Sequence, residues 1–243
     1  MSSNQPHSPL GPSQLRRVHI ITDRFSMVNT YLIAEEHLVV VDPCSELIID
    51  QLHGYLQQVL RRAITDIDLI VLTHLRFDCT AVLKILCRRC NAPVAASSVI
   101  RQLANIQREK NAYPALGHVV KNVFPATSRH SDLFPPDCQR QVKLIDLWLD
   151  DGDALTHHPD WRVIASSAPT PESLCLYNPF TWELLCGDTM VIQSGAPLLR
   201  RGTNRYQLEE TRRILHNLQV HYLYPTHGRC LLDLHALNNI SLE

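Results

Sequence analysis

The stretch Ile67-Asp68-Leu69-Ile70-Val71-Leu72-Thr73-His74-Leu75-Arg76-Phe77-Asp78-Cys79 decides how this chain is read. Its first six residues are branched and apolar apart from Asp68, the pattern of a buried strand. That strand delivers Thr73-His74 to its C-terminal end, and a helical pattern follows from about Thr80 to Cys90. A strand that passes at once into a helix sets its last side chains at the C-terminal edge of a sheet. Imidazole, carboxylate and thiolate gathered there are the donors that divalent metals take. His-x-x-x-Asp-Cys alone is a weak signal, but three segments further along echo it. Ser167-Ala168-Pro169-Thr170-Pro171-Glu172-Ser173 follows a strand, Leu185-Cys186-Gly187-Asp188-Thr189 ends one in an Asp, and Tyr224-Pro225-Thr226-His227-Gly228 ends another in a His.

Working outward, Val18–Ile21 and Thr30–Ile33 are short apolar runs, and Leu38–Val41 is a β-branched run ending at Asp42. Ser45 is the expected N-cap of a helix whose apolar residues, Leu47, Ile48, Leu52, Leu56, Val59 and Leu60, recur at helical spacing. Pro93–Ala96 reads as a strand, and a helix runs from about Ser98 to Lys110. Residues 112–137, with four prolines, read as a long loop, a candidate lid or dimer contact. Beyond it, strands are expected at Lys143–Leu149, Trp161–Ser166, Ser173–Tyr177, Trp182–Cys186 and Val220–Tyr224. A helix is expected over Leu208–Leu218 and a short one at the C-terminus. Strands and helices in both halves suit two sheets packed face to face with helices outside, and equally an ordinary α/β sheet.

The chain has 243 residues, 45% apolar and 19% charged, with a formal net charge of −1. Residues 1–16 read as a disordered tail and 17–243 as a single domain. Near-neutral charge and scattered arginine pairs give no basic stripe, so no nucleic-acid partner is expected. The tail lacks the apolar segment of a secretory signal and no apolar run reaches membrane-spanning length, so a cytoplasmic location off the membrane is expected. The eight cysteines then read as reduced thiols. Cys87-x-x-Cys90 lacks a second ligand pair and lies late in a helix, and Cys175 and Cys186 sit in apolar runs, so core packing accounts for them.

The ordered set of motifs resembles the metallo-β-lactamase superfamily, in the layout of its glyoxalase II-like hydrolases, from about Val18 onward. Thr73–Cys79 stands where that family has Thr-His-x-His-x-Asp-His. Asn29-Thr30-Tyr31-Leu32-Ile33 is similar to its Asn-x-Tyr-Leu-Ile strand, Asp42 to the Asp of its Asp-x-Gly turn, and Gly187-Asp188-Thr189 and His227-Gly228 match directly. The resemblance implies a four-layer αββα sandwich and a pair of metal ions, zinc or iron. Carried over residue by residue, the first ion would fall to His74, Arg76 and Pro169. A guanidinium has no lone pair to donate and proline has no ligating side chain. The second ion would fall to Asp78, Cys79, Asp188 and His227, a complete set if the Cys79 thiol replaces an imidazole. The family's glycines in these turns are also replaced, at Ala81, Val82, Ala168 and Glu172.

Two readings follow from the resemblance. In one, a single zinc or iron ion occupies the second position, with His74 beside it and Arg76 supplying the charge of the lost ion. Hydrolysis of a small ester, thioester or lactone would then rest on Asp78, Asp188 and Arg76. In the other, the site is metal-free, Arg76 pairs with Asp78 and Asp188, and the chain is a pseudoenzyme that binds or regulates. His157, His158, His216 and His221 read as surface or capping residues, and His118 as a residue able to line a pocket.

Overall fold

A computed structural model describes residues 17–75, 79–112, 142–201, 205–233, 236–237 and 240–242, with backbone alone for 79–80 and 107–112. The expected N-terminal tail, Arg76-Phe77-Asp78 and almost all of the 112–137 loop, His118 included, lie outside the described residues.

The first sheet holds β1 (Val18–Thr22), β2 (Asn29–Ala34), β3 (Leu38–Val41), β4 (Ile67–Leu72), β5 (Val94–Ser97) and β6 (Leu147–Leu149), in that spatial order. β1, β2 and β3 pair antiparallel, and β3 to β6 run parallel. The parallel strands are joined by helices α1 (Glu46–Tyr55), α2 (Cys79–Cys90) and α3 (Val99–Ala112). The second sheet contains β7 (Ala154–Leu155), β8 (His158–Ala165), β9 (Leu174–Asn178) and β10 (Glu183–Gly187). The hairpin of β11 (Met190–Gln193) and β12 (Ala196–Leu199) follows, then α4 (Arg205–His216), β13 (Tyr222–Pro225), β14 (Leu231–Leu232) and β15 (Ser241–Leu242). β13 and β14 complete the second sheet in the order β14-β13-β10-β9-β8-β7, while β15 joins the hairpin in a small third sheet.

Period-two alternation builds the layers. In β3, Val39 and Val41 face the second sheet while Leu38 and Val40 face the helices. In β4, Leu69 and Val71 divide from Ile70 and Leu72 in the same way. The middle layer meets Trp161, Val163, Leu174, Leu176 and Leu185 of the second sheet. The outer face of that sheet, with Cys175, Leu184 and Cys186, packs with Leu215 of α4 and Leu223. This is the αββα sandwich, and near-complete burial of both faces explains why its strands read as continuous apolar runs. Cys175 and Cys186 are packing residues. Cys90 is buried, and burial beside it pushes the Cys87 thiol up to about 11, so neither half of the Cys-x-x-Cys is an activated thiol.

Several local expectations are corrected. Ser45 stands at the N-cap of α1 with extended backbone but makes no side-chain cap. Its hydroxyl bonds Asp23, which holds that carboxyl below its ordinary value. The strand expected over Lys143–Leu149 is three residues long, because its start is a helical turn. The expected C-terminal helix is replaced, among the described residues, by the short strands β14 and β15. The β11–β12 hairpin was not expected at all. Gln193-Ser194-Gly195-Ala196 turns it, with Ser194 and Gly195 both at positive φ.

Candidate metal centre

The site lies at the C-terminal ends of β3, β4, β10 and β13. Asp42 leaves β3 with φ +53°, a conformation that Asp adopts more readily than most residues. One of its carboxylate oxygens accepts the Thr73 backbone N–H at 2.8 Å. The other accepts the Thr73 hydroxyl at 2.6 Å and the Thr226 hydroxyl at 3.2 Å. Thr73 Oγ1 also lies 2.9 Å from Nδ1 of His74. A hydroxyl has one proton. The Thr73 proton goes to the acceptor-only carboxylate, so the hydroxyl must accept from His74. Nδ1 of His74 therefore carries hydrogen, and the lone pair of the neutral ring is on Nε2.

That Nε2 is buried, has no hydrogen-bond partner, and lies 3.6 Å from Oδ2 of Asp188. Asp188 follows Gly187 at the end of β10. Its Oδ1, also buried and without a hydrogen bond, is 3.5 Å from Nε2 of His227. Its Oδ2 accepts from a terminal nitrogen of Arg200 at 2.9 Å. Asp188 is thus a carboxylate flanked by two imidazoles and one guanidinium.

The loop carrying His227 is held from the first sheet. Asn29 gives its backbone N–H to the Thr226 carbonyl, and its side-chain amide to the carbonyls of Pro225 and Gly228, each at 2.9 Å for the amide. The Tyr31 hydroxyl donates to the same Pro225 carbonyl at 2.5 Å. Val28 pairs with His227 across an isolated bridge. Gly187 is where the backbone passes Thr73: a Cβ there would lie 2.8 Å from the Thr73 Cβ, a distance real side chains do not tolerate.

Of the residues singled out in the sequence, His74, Asp188 and His227 come together. Arg76 and Asp78 lie outside the described residues, as does the side chain of Cys79, which opens α2. Two residues near the site were missed. Arg200 reaches Asp188 because the β11–β12 hairpin folds back, pairing the Arg200 N–H with the Thr189 carbonyl at 3.0 Å. The signal was Ser194-Gly195 between two apolar runs. Glu172, standing where the family's motif has its last glycine, is buried, and burial holds its carboxyl above the ordinary value while hydrogen bonds from its own backbone and from Thr170 pull it the other way.

The bland reading of His158 is also corrected. It is buried, hydrogen-bonded through Nδ1 to Glu35 at 3.2 Å, and burial pushes its pKa down. His157 stacks on His37, and His221 packs on Trp182.

For the pair of ions implied by the family layout, the donors do not fit: Arg76 and Pro169 offer no lone pair where the first ion needs them. For one ion the chemistry fits. Two buried acceptors lack a hydrogen bond, Nε2 of His74, which lies beside the Asp188 oxygen that Arg200 already holds, and Oδ1 of Asp188, which faces His227, and a cation at the second of them would relieve a buried carboxylate oxygen. Among the described residues no group of three or more His, Cys, Asp and Glu side chains is arranged to hold a metal.

The family model of the metallo-β-lactamase superfamily matches residues 23–227, and the chain belongs to that superfamily. No curated protein matches it. Solved structures share the fold at low identity. A metallo-β-lactamase family protein of Thermus thermophilus is 19% identical, covering 91% of this chain and 76% of its own, with a TM-score of 0.60. TTHA1623, solved in a di-iron-bound form, is 20% identical, covering 88% and 94%, with a TM-score of 0.57. A Cronobacter sakazakii metallo-β-lactamase described by the motif His-Ala-Arg-Leu-Asp-Gln is 15% identical, covering 83% and 74%, with a TM-score of 0.52.

Proposed function

We propose that the chain is a divergent metallohydrolase that holds a single zinc or iron ion through Asp78, Cys79, Asp188 and His227, with His74 beside it. The proposed substrate is a small ester, thioester or lactone. The observation that carries this reading is a pair of buried acceptors without hydrogen bonds, Asp188 Oδ1 beside His227 and His74 Nε2, with His74 fixed in the ligating tautomer by Thr73 and Asp42. The orienting of a ligand imidazole through its other nitrogen is what a working metal site requires. The Cronobacter motif supports the same reading. Against His74-Leu75-Arg76-Phe77-Asp78-Cys79 it has the same His, Arg and Asp at first, third and fifth place, and again no His at the sixth. An arginine in the second-His position is thus found in a protein that bears the lactamase name.

When bound, the ion would polarise the substrate carbonyl and acidify a water. This chain's residues would orient the imidazole of His74, anchor His227 through Asn29 and hold Asp188 through Arg200. Four protein ligands, one a thiolate, leave the ion a weaker Lewis acid than a site with an open position, so turnover would be slow. The second reading, a pseudoenzyme, draws on one observation: Arg200 already neutralises Asp188.

Metal analysis of the full chain, beside Asp188→Ala and Cys79→Ser, tests the proposal. About one ion per chain, lost in both variants, is expected of a four-ligand site. Metal-free protein after growth in zinc- and iron-supplemented medium would sink it. Thioester and lactone turnover with and without added metal then separates the enzyme from the pseudoenzyme.

A further inference from the structure

We infer that Arg200 is a built-in cation for Asp188, in the role that a second metal ion fills elsewhere in the superfamily; for a metal-loaded protein this rests on the reading just proposed. Three observations carry it. The guanidinium takes Oδ2 of Asp188 at 2.9 Å, a charge-assisted bond. The same oxygen faces His74 Nε2, while the other oxygen faces His227. The arginine is also set in place by the fold: its backbone N–H closes the β11–β12 ladder onto Thr189, the residue after Asp188, and Thr189 is buried with its hydroxyl 2.7 Å from that of Ser166. The hairpin register thus sets the Arg200 backbone beside Asp188, within reach of its carboxylate.

The consequence is electrostatic. With Arg200 on Oδ2, the oxygen of Asp188 without a hydrogen bond is Oδ1, on the His227 side, and the guanidinium supplies positive charge where a second ion would otherwise be needed. With the guanidinium one-third exposed the local dielectric is close to that of water, and a unit positive charge sharing the carboxylate with a divalent ion weakens binding of that ion by roughly 10- to 100-fold. Loss of orientation on removing Arg200 opposes this only weakly. Asp188 has two side-chain torsions, and its backbone is pinned on both sides by the Thr226 N–H to Gly187 carbonyl bond and the Thr189 N–H to Cys186 carbonyl bond. Arg200 therefore lowers metal affinity while keeping the metal-free carboxylate paired, and the role is that of a positioning residue.

The test compares the wild-type chain with Arg200→Met, Arg200→Lys and Arg200→Met/Asp188→Asn. Melting temperature is read in EDTA and then in increasing zinc, and zinc per chain is measured. In EDTA, Arg200→Met is expected to melt lower than wild type, Arg200→Lys near it, and the double variant to regain part of the loss. Under zinc, Arg200→Met is expected to bind roughly 10- to 100-fold more tightly than wild type and to recover its melting temperature, because the ion replaces the missing charge. If zinc stabilises Arg200→Met but leaves wild type metal-free, the inference stands and the one-ion reading of the natural chain fails. If wild type binds one zinc and Arg200→Met binds it no more tightly, the inference fails and the one-ion reading stands. If Met and Lys variants lose stability alike and zinc acts on neither, Arg200 is merely structural and the inference is overturned.

Discussion

Gly187→Ala probes the point where the second sheet touches the machinery that orients His74. Gly187 has φ +54°, and a Cβ there would lie 2.8 Å from the Thr73 Cβ and nearer still to the Thr73 hydroxyl. Alanine in left-handed backbone costs about 1–2 kcal/mol. Forcing a methyl into filled space costs about 1–3 kcal/mol. If Thr73 yields, its bond to the Asp42 carboxylate is strained, and hydrogen bonds to charged groups contribute about 1.5–3 kcal/mol. These overlap, since moving Thr73 relieves the clash, so the net loss expected is about 3–5 kcal/mol. For a chain of this length that is a fall in melting temperature of about 10 °C. Urea unfolding at neutral pH reads it as a lower midpoint at unchanged slope. Thr73→Ala removes the hydroxyl that the new methyl meets, so the double variant should lose less than the sum of the single ones. A Gly187→Ala loss under about 1 kcal/mol, or strict additivity with Thr73→Ala, would refute the contact argument.

Two further perturbations test the surroundings. Asn29→Ala removes the amide that ties Pro225 and Gly228; a loss of about 2–4 kcal/mol in urea midpoint is expected, together with weaker zinc uptake because His227 is no longer fixed. His158 has its folded pKa depressed by burial, so below the ordinary histidine value of about 6.5 the unfolded chain takes up protons that the folded chain resists. Its contribution is intact above that pH and is lost as the pH falls through the window below it. Unfolding midpoints from pH 8 to pH 5 should therefore fall less steeply in His158→Gln than in wild type, and an equal slope would remove His158 as the cause.

The layers were legible because their physics is local. Leu38–Val41 and Ile67–Leu72 are buried on both faces, and the run of branched side chains says so without any tertiary knowledge. Gly187-Asp188 and His227 were legible because a strand end, a polar residue and a positive-φ glycine occur together. Arg200 was not, because its meaning depends on a hairpin whose strands are four residues each and whose partner is twelve residues back. His158 was misread for the converse reason. A histidine beside a proline and a turn is usually exposed, and here its burial depends on Glu35, 123 residues away. Ser45 was placed correctly and given the wrong bond, since Asp23 lies across the fold and competes for the hydroxyl.

The way the motif departs from its family can be separated into donors and supports. On the resemblance, the donors would be altered: Arg76 and Pro169 would leave one ion position with His74 alone, and Cys79 would change the chemistry of the other. The supports are intact. Asp42 still holds Thr73, Thr73 still fixes the His74 tautomer, Asn29 still ties the His227 loop, and Gly187 still lets two backbones pass. Supports of this kind are costly: a carboxylate buried at 1% exposure, positive φ at a non-glycine residue and two unsatisfied buried acceptors are each destabilising without something to offset them. A sandwich kept only as a scaffold would be more stable with His74 replaced by an apolar residue and Asp188 by a neutral one. The two unpaired acceptors, His74 Nε2 and Asp188 Oδ1, on either side of the oxygen that Arg200 holds, are therefore the part of the molecule whose energetics a bound cation would balance. Replacing His74 by leucine separates the possibilities: a more stable protein that takes up zinc less tightly is expected if the pair serves binding, and a less stable one if it serves the fold.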